Sequence, residues 1–164
     1  WRTYFVRSAG KKAKTELTVS KTLLENANIR VELADGLIQA IIEKATGRQV
    51  FAANDKAAVG EVFIWEDEGC IAQVRPVDFM QSAKLVTRSS KAKRRVSVLE
   101  KGPARATVEV AFEMDWGIFR QRISLAAGAK AVDFETLVDW LPELEGGRRV
   151  RTAMPGNAVR VQDV

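Results

Sequence analysis

LENANIRVELADGLIQAIIEKATGRQVF, residues 24–51, decides the fold. Ile29, Val31 and Leu33 alternate with Asn28, Arg30 and Glu32, so an extended segment here has one apolar and one polar face. Asp35-Gly36 follows, a pair suited to a tight turn because glycine takes positive φ without a Cβ clash. Leu37–Glu43 returns as a second strand, apolar on both faces at its middle, as a strand covered on two sides would be. Lys44-Ala45-Thr46-Gly47 turns the chain again into Gln49-Val50-Phe51. The stretch reads as a three-stranded meander.

Outward from it, the β pattern continues. Trp1–Val6 alternates weakly as a short strand, Ser8–Lys14 is a basic loop, and Glu16–Ser20 is a further short strand. Asn54–Ala58 is a polar connection, and Glu61–Trp65 is a strand that ends in acid at Glu66-Asp67-Glu68. Asp78–Val86 and Arg94–Leu99 read as strands with Ser89–Lys93 as the hairpin loop between them. Gly102-Pro103 is a turn. Ala104–Phe112 alternates cleanly, and Ile118–Leu125 follows with Phe119, Ile123 and Leu125 inward. Ala131–Asp139 sets Val132, Phe134 and Val138 in, with Asp133, Glu135 and Asp139 out. After Trp140 the prolines and glycines break the pattern, apart from a short strand at Val159–Val161. No segment sustains helical periodicity, so about eight to ten short strands at these spacings predict an all-β antiparallel β-sandwich.

The totals exclude several functions. At 164 residues and 46% hydrophobic, the chain can bury one core. No apolar run approaches the roughly 20 residues of a membrane helix, so no membrane partner is expected. The chain contains no histidine, which removes Ser/His/Asp and Cys/His catalysis and the commonest zinc ligand. Its lone cysteine, Cys70, makes neither an internal disulfide nor a thiolate metal site. Trp1–Tyr4 shows no secretion signal, so the cytoplasm is the expected compartment, and a start at Trp1 reads as a cut from something longer. The net charge of +5 comes from clusters at Lys11–Lys14, Lys91–Arg95 and Arg148–Arg151. These fall in joints between β runs and read as solvated loops, with no specific nucleic-acid partner.

The best candidate site is Trp65, Glu66, Asp67 and Glu68. An indole face beside carboxylates suits carbohydrate, because sugar C–H faces stack on aromatics and hydroxyls bond to carboxylates. The competing reading is an acidic turn beside a core tryptophan. Asp133, Glu135 and Asp139 share a strand face at spacings of about 7 Å, near the carboxyl separation of glycosidases. A solvent-facing strand would carry the same residues. Glu113 and Asp115 flank a turn and give no further signal, and Glu145–Arg149 lacks the rest of a phosphate loop.

Five separated stretches, in order, resemble the family 38 glycoside hydrolases, the α-mannosidases and their bacterial relatives: WRTYFV at 1–6, the meander at 24–51, GEVFIWEDEG at 60–69, LEKGPARATVEV at 99–110 and FRQRISLAAGAKAVDFETLVDW at 119–140. The resemblance implies a galactose-mutarotase-like supersandwich, with 1–22 as a lead-in strand and basic loop and 23–164 as the first part of an incomplete sandwich. It also implies a parent that hydrolyses α-mannosidic bonds with retention, using a divalent metal, usually zinc. That family's nucleophile and metal ligands lie in domains outside these residues, so no catalytic residue and no cofactor is carried over. The expected partner is the rest of that polypeptide, its catalytic α/β and helical domains, with carbohydrate at Trp65–Glu68. A last strand left unpaired would favour self-association into a homo-oligomer. The alternative is a stand-alone carbohydrate-binding β-sandwich. LPELEGGRRVRTAMP at 141–155 departs from the family pattern, although the resemblance keeps a strand at RTAMP, 151–155.

Overall fold

A computed structural model describes residues 15–66, 84–114, 117–140 and 148–155. They form three antiparallel sheets. The first is the expected meander with two short strands added before it: β1 (Thr18–Val19), β2 (Leu23–Glu25), β3 (Ile29–Ala34), β4 (Leu37–Glu43) and β5 (Arg48–Ala52), in chain order. The second runs β11 (Asp133–Trp140), β10 (Gly117–Ala126), β9 (Arg105–Met114), β8 (Lys93–Lys101). The third runs β12 (Arg148–Ala153), β6 (Glu61–Glu66), β7 (Lys84–Arg88). A bridge between Ile38 and Val59 ties the first sheet to the lead-in of β6. One core cluster joins Leu24, Val31 and Ile38 of the first sheet, Val62 and Ile64 of the third, and Val110, Phe112 and Phe119 of the second. The chain is therefore an all-β antiparallel sandwich.

Alternation explains the layers. On β9, Ala106, Val108, Val110 and Phe112 are buried, and on β10 Phe119, Ile123 and Leu125 face the same core. Each such side chain contributes about 1.5–3 kcal/mol by leaving water. Adjacent Ala40 and Ile41 are both buried, so β4 is covered on two faces here. Its register against β3 shifts between Glu32 and Leu33, leaving Gln39 as the extra residue, which sets both Ile38 and Ile41 beside the buried Leu33 and Val31. Asp35 and Gly36 both take positive φ, 48° and 75°, as a tight hairpin turn requires.

Buried polar groups fix the layers relative to each other. Asn26, 1% exposed, donates from Nδ2 to the carbonyls of Ala126 and Ala129, and its Oδ1 accepts from the Asn28 and Ile29 amides. Gln121 donates to the Gly60 carbonyl across the core, 3.0 Å away. Arg94, 11% exposed at its side chain, donates to the carbonyls of Ser89, Ser90, Ala92 and Asp35 and pairs with the Asp35 carboxylate.

Several expectations change. Ser89–Lys93 is not a hairpin loop: β7 pairs with β6 and β8 with β9, and a 3₁₀ turn at Ser89–Lys91 carries the chain from one sheet to another. Lys93–Arg95 and Arg148–Arg151 are strand residues, not loops. Of the strand expected at Asp78–Val86, the part from Lys84 is strand and residues 78–83 lie outside the described residues. The pattern does not end at Trp140, because β12 adds to β6 through a long-range pairing that local alternation cannot reveal. Val138 faces inward by register, opposite Phe119, yet is 45% exposed. Trp1–Val6, the Lys11–Lys14 cluster, Cys70, Asp115 and Val159–Val161 lie outside the described residues.

Candidate functional site

β6 is the middle strand of its sheet, and its two faces differ. Val62 and Ile64 are fully buried in the core. Phe63 and Trp65 fall on the opposite face and are half-buried. The Arg88 guanidinium, from the neighbouring β7, sits 5.4 Å from the Phe63 ring centroid, a cation–π contact. It also donates to the Lys56 carbonyl and lies 3.9 Å from the Glu61 carboxylate. Glu61 is 2% exposed, and its second oxygen accepts the Ala58 amide. At the end of β6, Trp65 stands in register between Arg149 and Leu85, and Glu66 between Arg148 and Lys84. Successive residues of a strand point to opposite faces, so a sugar touching both Trp65 and Glu66 would lie over the strand's end. Asp67 and Glu68 lie outside the described residues.

Four carboxylates of the second sheet, Glu100, Glu109, Glu113 and Glu135, have ion-pair partners. Arg122 bridges Glu109 at 2.9 Å and Glu135 at 3.1 Å, and both carboxylates raise its pKa by hydrogen bonding. Glu100 takes a bidentate pair from Arg105, at 2.6 and 2.7 Å, and a bond from Thr107. These hydrogen bonds, that of Arg105 first, pull the Glu100 carboxyl down to about 2. A general acid needs the opposite shift. Asp133, Glu135 and Asp139 are exposed on the outer face of β11, and Glu113 is exposed beside Lys93.

A groove of about 640 Å³ opens at one side of the sandwich. Ile41, Val50 and Phe51 of the first sheet line it with Val132, Phe134 and Met154, and the charged Glu43, Arg48 and Lys130 line it as well. Sequence reasoning missed it because its walls are far apart in the chain.

This is an antiparallel sandwich with an aromatic strand end, ion-paired outer carboxylates and an open apolar side. Residues 24–163 match the glycosyl hydrolases family 38 C-terminal domain, and the chain belongs to that family. An alpha-mannosidase from Enterococcus faecalis superposes with a TM-score of 0.70 at 13% identity, over 92% of this chain and 19% of that one. A protein in the glycosyl hydrolase family 38 from the same species superposes with a TM-score of 0.65 at 12% identity, over 90% of this chain and 20% of that one. At these identities the likeness is one of fold, and the chain spans about a fifth of either neighbour. No curated protein matches it.

Proposed function

We propose that this chain is the non-catalytic sandwich segment of a longer α-mannosidase-type glycoside hydrolase, holding the catalytic domain and presenting Trp65–Glu68 to carbohydrate. The carrying observation is the family match over residues 24–163 in a chain that spans about a fifth of its structural neighbours. The chemistry of the chain supports it. Among the described residues, the one carboxyl that is shifted strongly is pulled down, away from general-acid use. A zinc ion held by histidine or thiolate does not fit these residues, since the chain has no histidine and a single cysteine. The divalent metal, and the retaining cleavage of α-mannosidic bonds, are assigned to the rest of the polypeptide, in the cytoplasm.

The test is an assay of p-nitrophenyl α-mannoside with this chain alone and with the longer protein that contains it. Turnover is expected only from the longer protein. Metal-dependent turnover by the chain alone would overturn the proposal. Mannoside binding by the chain alone, lost on Trp65→Ala, would favour the stand-alone binding module instead.

A further inference from the structure

We infer that edge strand β11 receives a β-strand from elsewhere in the longer polypeptide, apolar at alternate positions and basic between them. The inference rests on the reading that this chain is one segment of a longer protein. Among the described residues, β11 pairs only with β10, so one row of its backbone N–H and C=O groups faces no strand. Its inward residues are Phe134, Thr136 and Val138, opposite Ile123, Gln121 and Phe119. Those three β10 residues are buried, whereas Val138 is 45% exposed and Phe134 lines the apolar groove. A strand laid on β11 would hang alternate side chains over Val138 and Phe134 and into the groove. The other edge beside the groove is β5, and there the Ala52 amide already donates to the Pro155 carbonyl, 3.3 Å away.

Charge selects the occupant. The outward side of β11 carries Asp133, Glu135 and Asp139. From inside the sheet Arg122 meets Glu135, and Arg105 of β9 acts on Asp133 and Glu135, while Asp139 stands opposite Ile118 and carries the selection. A second copy of β11 is a poor partner. The antiparallel registers that pair most of the strand, centred on Thr136 or Leu137, set Asp133 against Asp139 or Glu135 against Asp139. Like charges directly opposite destabilise a strand pair, and opposite charges stabilise it. Basic residues between the apolar ones therefore fit the open side. Structural neighbours about five times as long supply ample chain for such a strand.

Amide hydrogen exchange on the 164-residue chain tests this. The probes are a synthetic peptide alternating valine and lysine and its valine–glutamate counterpart. The lysine peptide is expected to slow exchange within residues 133–140 by roughly tenfold or more, and the glutamate peptide to leave it unchanged. Val138→Asp and Asp139→Lys, both at exposed positions, should each weaken the effect without altering exchange in β9. In the longer protein the same amides should be slow without any peptide. Equal protection by both peptides, protection at β5 or β7 instead, no protection by either, or a dimer that protects 133–140 unaided would overturn the inference. So would fast exchange there in the longer protein. None of these results depends on mannoside turnover, so failure here and failure of the proposed function are separately visible.

Discussion

Gly36→Ala is the sharpest test of how the meander sits on the second sheet. Gly36 adopts φ +75°, and a Cβ built on it would lie 2.9 Å from Val110 Cγ1 and 3.0 Å from Val96 Cγ2. Both neighbours are β-branched side chains with little rotamer freedom, so they cannot swing aside. Two costs therefore combine. An L-residue in the left-handed region costs about 1–2 kcal/mol. Overpacking a close contact costs about 1–3 kcal/mol more. Gly47→Ala provides the control: φ is +70°, but nothing lies within 4 Å of its built Cβ, so only the first cost applies. In urea denaturation, Gly36→Ala should lose about 2–5 kcal/mol and Gly47→Ala about 1–2 kcal/mol. In a domain of this size each kcal/mol lowers Tm by about 2–4 °C, so a thermal scan should separate the two variants. Equal losses would mean that the turn does not press on Val96 and Val110, and the packing of the first sheet on β8 and β9 would be wrong.

Asn26→Asp keeps the shape but replaces the Nδ2 donor with an acceptor aimed at the carbonyls of Ala126 and Ala129. It should cost about 3 kcal/mol or more in chemical denaturation, and more than Asn26→Ala, because the second variant leaves no opposed charge. Arg94→Lys cannot reproduce a fork that serves carbonyls on both sides of the guanidinium, and it should cost about 1.5–3 kcal/mol, read as a shifted urea midpoint. The Arg105 and Thr107 hydrogen bonds hold the folded Glu100 carboxyl at about 2, below its ordinary 4.5, so its contribution is present above pH 4.5 and is lost as pH falls towards 2. The stability gap between the wild-type chain and Glu100→Gln should therefore close over that window, and a gap constant from pH 6 to pH 2 would refute the assignment.

What could be read from the sequence follows from the range of each interaction. β3, β4, β9 and β10 were legible because alternation and turn chemistry act over a few residues, and the observed inward sets match them. β12 was hidden. Its arginines and flanking glycines read as loop, and only the pairing of Arg148–Ala153 with Glu61–Glu66, far apart in the chain, makes it a strand. The same distance hid Asn26 and Gln121, whose polar side chains are buried because their partners arrive from another sheet. Val138 shows the limit most directly. Alternation gave its face correctly, but a face is buried only when something lies on it. The proposed carbohydrate contact sits at that same limit. The pattern that marks Trp65 and Glu66 is local, whereas a sugar site is made by whatever else surrounds the end of β6. The polar ties and the open edge therefore carry information that periodicity lacks: they show which layers are already joined and, among the described residues, where a row of backbone groups faces no strand.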